Sequence, residues 1–251
     1  MIPPEETLPA RPWHPIPIED CGEPLTPLPG SLQRLLPHPY ARLGAPYGNG
    51  ADPFRLRRGV VERLLQAQDH LQRRVPSCRL AIFDAWRPVA VQAFMVRHAR
   101  REECLRCGID PDRDSPERQE VHERVDRFWA APSRDPGTPP PHSTGAAVDL
   151  TLAGDDGTLL AMGGAIDAIG AISEPDHHAA AATLDPGGDA ALWHGRRCLL
   201  RAAMETAGFR QHPNEWWHFS WGDQLWAWRA GAATARYGGM EAAVRGADQA
   251  G

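Results

Sequence analysis

Residues 146–152 read Ala-Ala-Val-Asp-Leu-Thr-Leu, an apolar run of strand length with a carboxylate at its centre. In an extended chain alternate side chains share a face, so Val148, Leu150 and Leu152 form one side and Ala147, Asp149 and Thr151 the other. A carboxylate buried in such a run must be paired, protonated or bound to a metal. Whatever fold the chain adopts has to deliver a partner to Asp149 from elsewhere in the sequence.

Composition narrows the folds that could do this. Of 251 residues, 24 are glycine and 25 proline, about a fifth of the chain, which implies long connections and many turns rather than a helix bundle. With 42% hydrophobic and 24% charged residues, the chain can bury one sizeable core. The net charge of -5, without any concentrated run of lysine and arginine, argues against general nucleic-acid binding. No stretch reaches the length of apolar sequence that a membrane span requires. The first residues, MIPPEETLPARPW, place acids and prolines where a secretory signal needs positive charge and then an apolar run, so the expected location is the cytoplasm. Five cysteines, at 21, 78, 104, 107 and 198, fit free thiols in a reducing compartment. Cys104 and Cys107 form a C-x-x-C pair at the end of a helical stretch before Gly108. Without a second ligand pair nearby, it reads as structural.

Residues 1–50 read as an irregular proline-rich arm whose Trp13, Ile16, Ile18 and Tyr40 pack it over the body. Val60, Val61, Leu64, Leu65 and Leu71 predict an amphipathic helix from about Pro53 to Arg73. A strand is expected at 79–83, then a helix over 89–106 opened by Pro88 and closed by Gly108, with Arg87 presented at the junction. Ser115 and Pro116 predict a helix running to about Trp129. Residues 131–141 form a rigid connection, and AGDDGT at 153–158 a hairpin turn. A loop carrying His177 and His178 precedes a helix from Asp189 to Thr206, and a strand follows near Phe209. No repeat and no linker divides the chain, so a single domain over 1–251 is expected.

The zinc-protease signature H-E-x-x-H is absent. Instead, His142 and Asp149 lie seven apart, and Glu215 and His218 three apart much later. Two histidines and a carboxylate suffice for one catalytic zinc ion per chain, with the fourth position left for water. Taken singly, each histidine is open to a core hydrogen-bonding role, and the His–Asp pair to a structural one. Together with Arg87 the set fits a zinc hydrolase. Glu215 would act as the base for the attacking water, and Arg87 would stabilise the oxyanion with Asp84 holding it. Trp216 and Trp217 would wall the cleft. In an extended segment residues 215 and 218 face opposite ways, so a bend is required for them to converge.

Three motifs carry a resemblance to a known family: Asp84-Ala85-Trp86-Arg87-Pro88, His142-Ser143-Thr144-Gly145-Ala146-Ala147-Val148-Asp149 and Glu215-Trp216-Trp217-His218. With Met162-Gly163 through Asp167, Ser173, His177-His178 and Gly208-Phe209, the chain resembles the D-alanyl-D-alanine dipeptidases of peptidase family M15 from about residue 53 to 228. The resemblance implies an α+β fold with a small antiparallel sheet flanked by helices, and zinc-dependent hydrolysis of D-Ala-D-Ala or related short D-dipeptides. It also implies Asp167 as the contact for the substrate's amino group. One departure concerns the other end of the substrate. The family often has a serine two positions before the first metal histidine, associated with the substrate carboxylate, where this chain has Pro140 followed by Pro141. Proline offers neither hydroxyl nor N–H. Ser143, Thr144 or the N-terminal arm, including Tyr40 and Tyr47, then become the candidates, with Asp84 and Trp217 completing the expected substrate surroundings. A zinc carboxypeptidase or amidase on longer cell-wall peptides, and a metal-stabilised binding protein without turnover, are the alternatives. The expected partner is a small dipeptide, with no nucleic acid or membrane, and the expected state a monomer or homodimer.

Overall fold

The computed structural model describes residues 11–48 and 52–240. The parts of the proline-rich arm at 1–10 and 49–50 lie outside these. The arm's described part forms β1 (Leu25–Pro27), β2 (Gln33–Arg34) and a short helix α1 (Pro39–Arg42), so it is more regular than its composition suggests. Next come β3 (Arg55–Arg57), α2 (Arg58–Arg74), β4 (Cys78–Asp84), α3 (Val89–Arg106) and α4 (Pro116–Val125). The chain continues through β5 (Ala147–Gly154), α5 (Ala179–Leu184), α6 (Asp189–Thr206), β6 (Arg210–Gln211), β7 (His218–Ser220) and α7 (Gln224–Ala230).

These elements make an α+β fold around a five-stranded sheet of order β2-β4-β5-β7-β6, with β1 and β3 pairing separately. The sheet is mixed, which corrects the expected all-antiparallel arrangement. β2 runs parallel to β4, Gln33 opposite Ala81, while β4, β5, β7 and β6 pair antiparallel. The parallel edge arises because the arm supplies a strand whose return to β4 is a long crossover through α2, the kind of connection parallel neighbours require.

One face of the sheet is apolar. Leu80, Ile82, Val148, Leu150, Leu152 and Phe219 pack there against Val60, Leu64 and Leu71 of α2 and Leu200 and Met204 of α6. Each fully buried leucine contributes about 2 kcal/mol relative to exposure. A second cluster joins Tyr40, Val91, Met95, Val121, Val125 and Trp129, seating α3 and α4 beside the sheet.

The helices at 89–106 and 189–206 and the turn after β5 match the sequence reading. Gly108 sits at φ 72°, the left-handed conformation that ends α3. Two boundaries differ, each for a tertiary reason. The helix expected from Pro53 begins at Arg58 because residues 55–57 pair with β1 and bury Arg57 on the carbonyls of Glu23, Thr144 and Gly238. The helix expected to reach Trp129 ends at Val125, and Arg11 from the arm takes the carbonyls of Asp126, Arg127 and Trp129 beyond it. Two further helices, α5 and α7, have no counterpart in the sequence reading. Asp223 caps α7 by accepting from Trp226 N, and Gly231 at φ 68° ends it. Among the described residues, no helix is long and apolar enough to cross a membrane.

Candidate active site

Asp84, Asp149 and His218 are successive cross-strand partners on β4, β5 and β7, so their side chains lie abreast on the face opposite the apolar core. This row depends on an irregularity. Ile82 pairs with Leu150, and regular continuation would set Phe83 against Asp149; the register shifts instead, and Asp84 takes that place. The extra residue turns a carboxylate, rather than a phenyl ring, toward the site.

His142 joins the row from a short 3-10 turn over Pro141–Thr144. Gly145 closes that turn at φ 70°, a left-handed conformation that favours glycine, and an added Cβ would displace the Leu25 side chain. The turn is stitched to the Arg87 segment. Arg87 N donates to His142 O (3.2 Å), Ser143 Oγ to Arg87 O (2.7 Å), and His142 Nδ1 lies 2.7 Å from Ala85 O.

The donor set fits a metal ion. His142 Nδ1 can donate to the Ala85 carbonyl, and His218 Nε2 to Ser220 Oγ at 3.3 Å, which leaves His142 Nε2 and His218 Nδ1 as bare lone pairs. These nitrogens are 3.2 Å apart, and lie 3.2 and 3.0 Å from the two oxygens of Asp149. Asp149 Oδ1, although buried, accepts no hydrogen bond. Lone pairs facing one another at such range repel unless a cation lies among them. Ligand atoms bound about 2.0–2.2 Å from a tetrahedral zinc lie about 3.3–3.6 Å from each other, close to the spacing found. His142, Asp149 and His218 thus form a single zinc-binding cluster.

Arg87 sits beside this cluster. Its Nε and Nη2 both reach Asp84 Oδ2 (3.0 and 2.7 Å), Nη1 reaches Gln92 Oε1 (2.9 Å), and Nη2 also approaches Asp149 Oδ2 at 3.3 Å. Burial opposes its charge, but Tyr40, Asp84 and Asp149 raise its pKa well above normal, so it stays protonated. Asp84 is wholly enclosed by Arg87, His38 (3.0 Å) and the Tyr47 hydroxyl (3.2 Å), which places it behind Arg87 and outside the cleft lining.

Glu215 lies in the turn between β6 and β7, the bend its spacing from His218 requires. Trp216 N donates to Ser173 O, and Gln211 Nε2 to Trp216 O, fixing that turn. Glu215 Oε2 is 3.6 Å from His218 Nδ1, and Oε1 is 3.6 Å from His212 Nδ1. Burial, reinforced by Asp149 and Asp167, raises the Glu215 carboxyl well above its ordinary value, so it holds protons tightly. Trp217 lines the cleft, whereas Trp216 is buried beneath it against Arg197.

Asp167 lines the same cleft from a loop in the unusual φ of 65°. Its Oδ2 accepts from the Tyr40 hydroxyl at 2.9 Å. Burial, helped by Asp149, pushes its carboxyl up to about 7. Arg197 steadies the loop by donating to the carbonyls of Met162, Ile172 and Glu174, and His178 by its contact with Gly163 O. His177 and His178 therefore stand apart from the metal cluster. Ser143 is also spent, its hydroxyl on Arg87 O, and so is Thr144, on Pro141 O.

Several lining residues escaped the sequence reading. Gln92, Trp129, Arg11 and Trp13 reach the cleft from three distant segments, and no local pattern marks them. His212 had a signal, the H-x-x-E-x-x-H spacing over 212–218. Its ring is buried and held neutral, 5.5 Å from that of His218.

Comparison with known proteins agrees with this geometry. The Peptidase_M15 family model, described as D-ala-D-ala dipeptidase, matches residues 34–234. The D-alanyl-D-alanine dipeptidase of Synechocystis sp. is 47% identical over 228 residues, covering 88% of this chain and 91% of the relative. That of Enterococcus faecalis is 31% identical over 142 residues, covering 56% and 60%. That of Escherichia coli is 37% identical over 78 residues, covering 31% and 36%. With the matched span extending from β2 past α7 and enclosing all three metal ligands, the chain belongs to the Peptidase_M15 family of zinc metallopeptidases.

Proposed function

We propose that the protein hydrolyses D-alanyl-D-alanine and closely related short D-dipeptides. The observation that carries this reading is the placement of Asp167 in one cleft with Glu215, Arg87 and the metal cluster. A free dipeptide carries an ammonium group, and an enclosed carboxylate across from the metal ligands suits that end of the molecule. Zinc, when bound, supplies the Lewis acidity that polarises a carbonyl and makes water acidic. The protein's side chains do the rest. Glu215 accepts the proton of the attacking water and returns it to the leaving amine. Its high proton affinity suits the second step. Arg87, fixed in plane by Asp84 and Gln92, offers permanent positive charge to the developing oxyanion. Trp217 and Trp129 exclude water from the cleft. All five cysteines are free, which supports a reducing compartment such as the cytoplasm.

The test is a coupled assay for released D-alanine with zinc-loaded protein, run on D-Ala-D-Ala beside L,L and L,D dipeptides and a longer peptide ending in D-Ala-D-Ala. Turnover confined to D-terminal dipeptides is expected. Preference for the longer peptide would favour a carboxypeptidase, and no turnover of any D-dipeptide would remove the assignment.

A further inference from the structure

The cleft has two ends. At one, Asp167 and Ala168 are shared with a neighbouring apolar groove, and Trp129 lines both ends. At the other, Arg11, Trp13 and Pro141 are shared with a recess that Pro140 also lines. A dipeptide held by its ammonium group at Asp167, with its scissile carbonyl at the metal cluster, directs its carboxylate toward the second end. That end needs a donor. Pro140 and Pro141 have no N–H to give. The hydroxyls of Ser143, Thr144, Tyr40 and Tyr47 are committed to Arg87 O, Pro141 O, Asp167 and Asp84.

Arg11 remains. Its Nη1 donates to Arg127 O and its Nη2 to Asp126 O and Trp129 O, so the plane of the guanidinium is set in advance by three carbonyls. Among the described residues its Nε has no acceptor and its charge no carboxylate in ion-pair contact. Burial lowers the pKa of the guanidinium, with Glu215, which lines the same cleft, and Asp126 acting against that. Trp13 two residues on, edge-on to His212 at 5.8 Å and against Trp228 at 5.7 Å, anchors the arm in place.

We propose that Arg11, from the N-terminal arm, binds the substrate's terminal carboxylate and so selects free dipeptides over carboxylate-blocked ones. The inference rests on the dipeptidase reading, and its test separates the two. The competing role for Arg11 is closure of the end of α4 alone.

The experiment is calorimetric titration of zinc-loaded Glu215→Gln protein with D-Ala-D-Ala and with its C-terminal amide, repeated with Arg11→Gln and Arg11→Lys added. Arg11→Gln should weaken the dipeptide about 10- to 100-fold, the scale of a lost hydrogen bond to a charged group, and leave the amide within about twofold. Arg11→Lys, which keeps the charge without the fork, should fall between. Equal losses for both ligands would assign Arg11 to α4 alone, and no loss for either would remove it from the site; both overturn the proposal. Turnover of D-Ala-D-Ala by protein with Glu215 intact is scored separately. Turnover with undiminished binding in Arg11→Gln sinks the Arg11 proposal only. Preserved discrimination without turnover sinks the dipeptidase reading only. Binding of neither ligand by the Glu215→Gln parent sinks both.

Discussion

The wall of the cleft that holds the metal ligands and the wall that faces it are built from different material. Asp149 and His218 stand on paired strands, their spacing set by ladder hydrogen bonds, and His142 sits on a turn tied to the Arg87 segment by three contacts. Opposite them, Asp167, Trp129, Arg11 and Trp13 come from loops and from the arm. Their positions depend on side chains reaching backbone carbonyls, as Arg197 and Arg11 do. Metal chemistry tolerates errors of only a few tenths of an ångström, and paired strands supply that precision. Substrate recognition varies more readily on loops carried by such a frame.

Substitutions on the two walls should therefore differ in kind, and the largest effect belongs to the strand-side wall. His142→Ala should abolish stoichiometric zinc and reduce turnover to background with the far-ultraviolet circular dichroism unchanged; metal analysis beside the D-alanine assay checks this. Retained zinc would show that His142 is not a ligand. Glu215→Gln should lower kcat about 10²- to 10⁴-fold with zinc content intact, separating proton transfer from metal binding. Arg87→Lys cannot reproduce the fork to Asp84 and Gln92, and kcat/KM should fall about 10²- to 10³-fold in steady-state kinetics.

The facing wall should answer mainly in KM. Asp167→Asn removes the acceptor for an ammonium group, and KM should rise about tenfold or more with a smaller change in kcat. Its pH dependence sharpens the contrast. With the Asp167 carboxyl pushed up to about 7, the anionic form gains population as pH rises through 7, so KM should fall across that range and become flat in Asp167→Asn. The sign for stability is the reverse. A carboxyl whose folded pKa is raised binds its proton more tightly in the folded state, so its ionisation costs stability as pH climbs from about 4 to about 7. Asp167→Asn should accordingly raise the thermal midpoint above pH 7. A midpoint that does not move would show that Asp167 ionises without penalty. The smallest effect belongs to neither wall. Leu184 on α5 is 88% exposed, and Leu184→Ser should change stability by less than about 0.5 kcal/mol in denaturant unfolding.

Much of the strand-side wall is legible in the sequence, because its determinants are local. A carboxylate inside an apolar strand has few permitted environments, and His142, Glu215 and His218 sit in short motifs whose spacing limits where they can point. Helices α3 and α6 are readable for the same reason, with Pro88, Gly108 and Gly208 punctuating them. What the sequence alone could not supply was register and long-range contact. The shift at Phe83 that sets Asp84 beside Asp149, the parallel edge strand from the arm, and the strand that delays α2 each depend on a partner far away in sequence. Arg11 meets Asp126 at a separation of 115 positions, and Tyr40 meets Asp167 at 127. No periodicity encodes such pairings, since they are selected by how packed elements fit together. Asp149 shows the division: its sequence required a partner and offered His142 and His218, and tertiary packing decided the register that sets them abreast and which of their lone pairs turn inward.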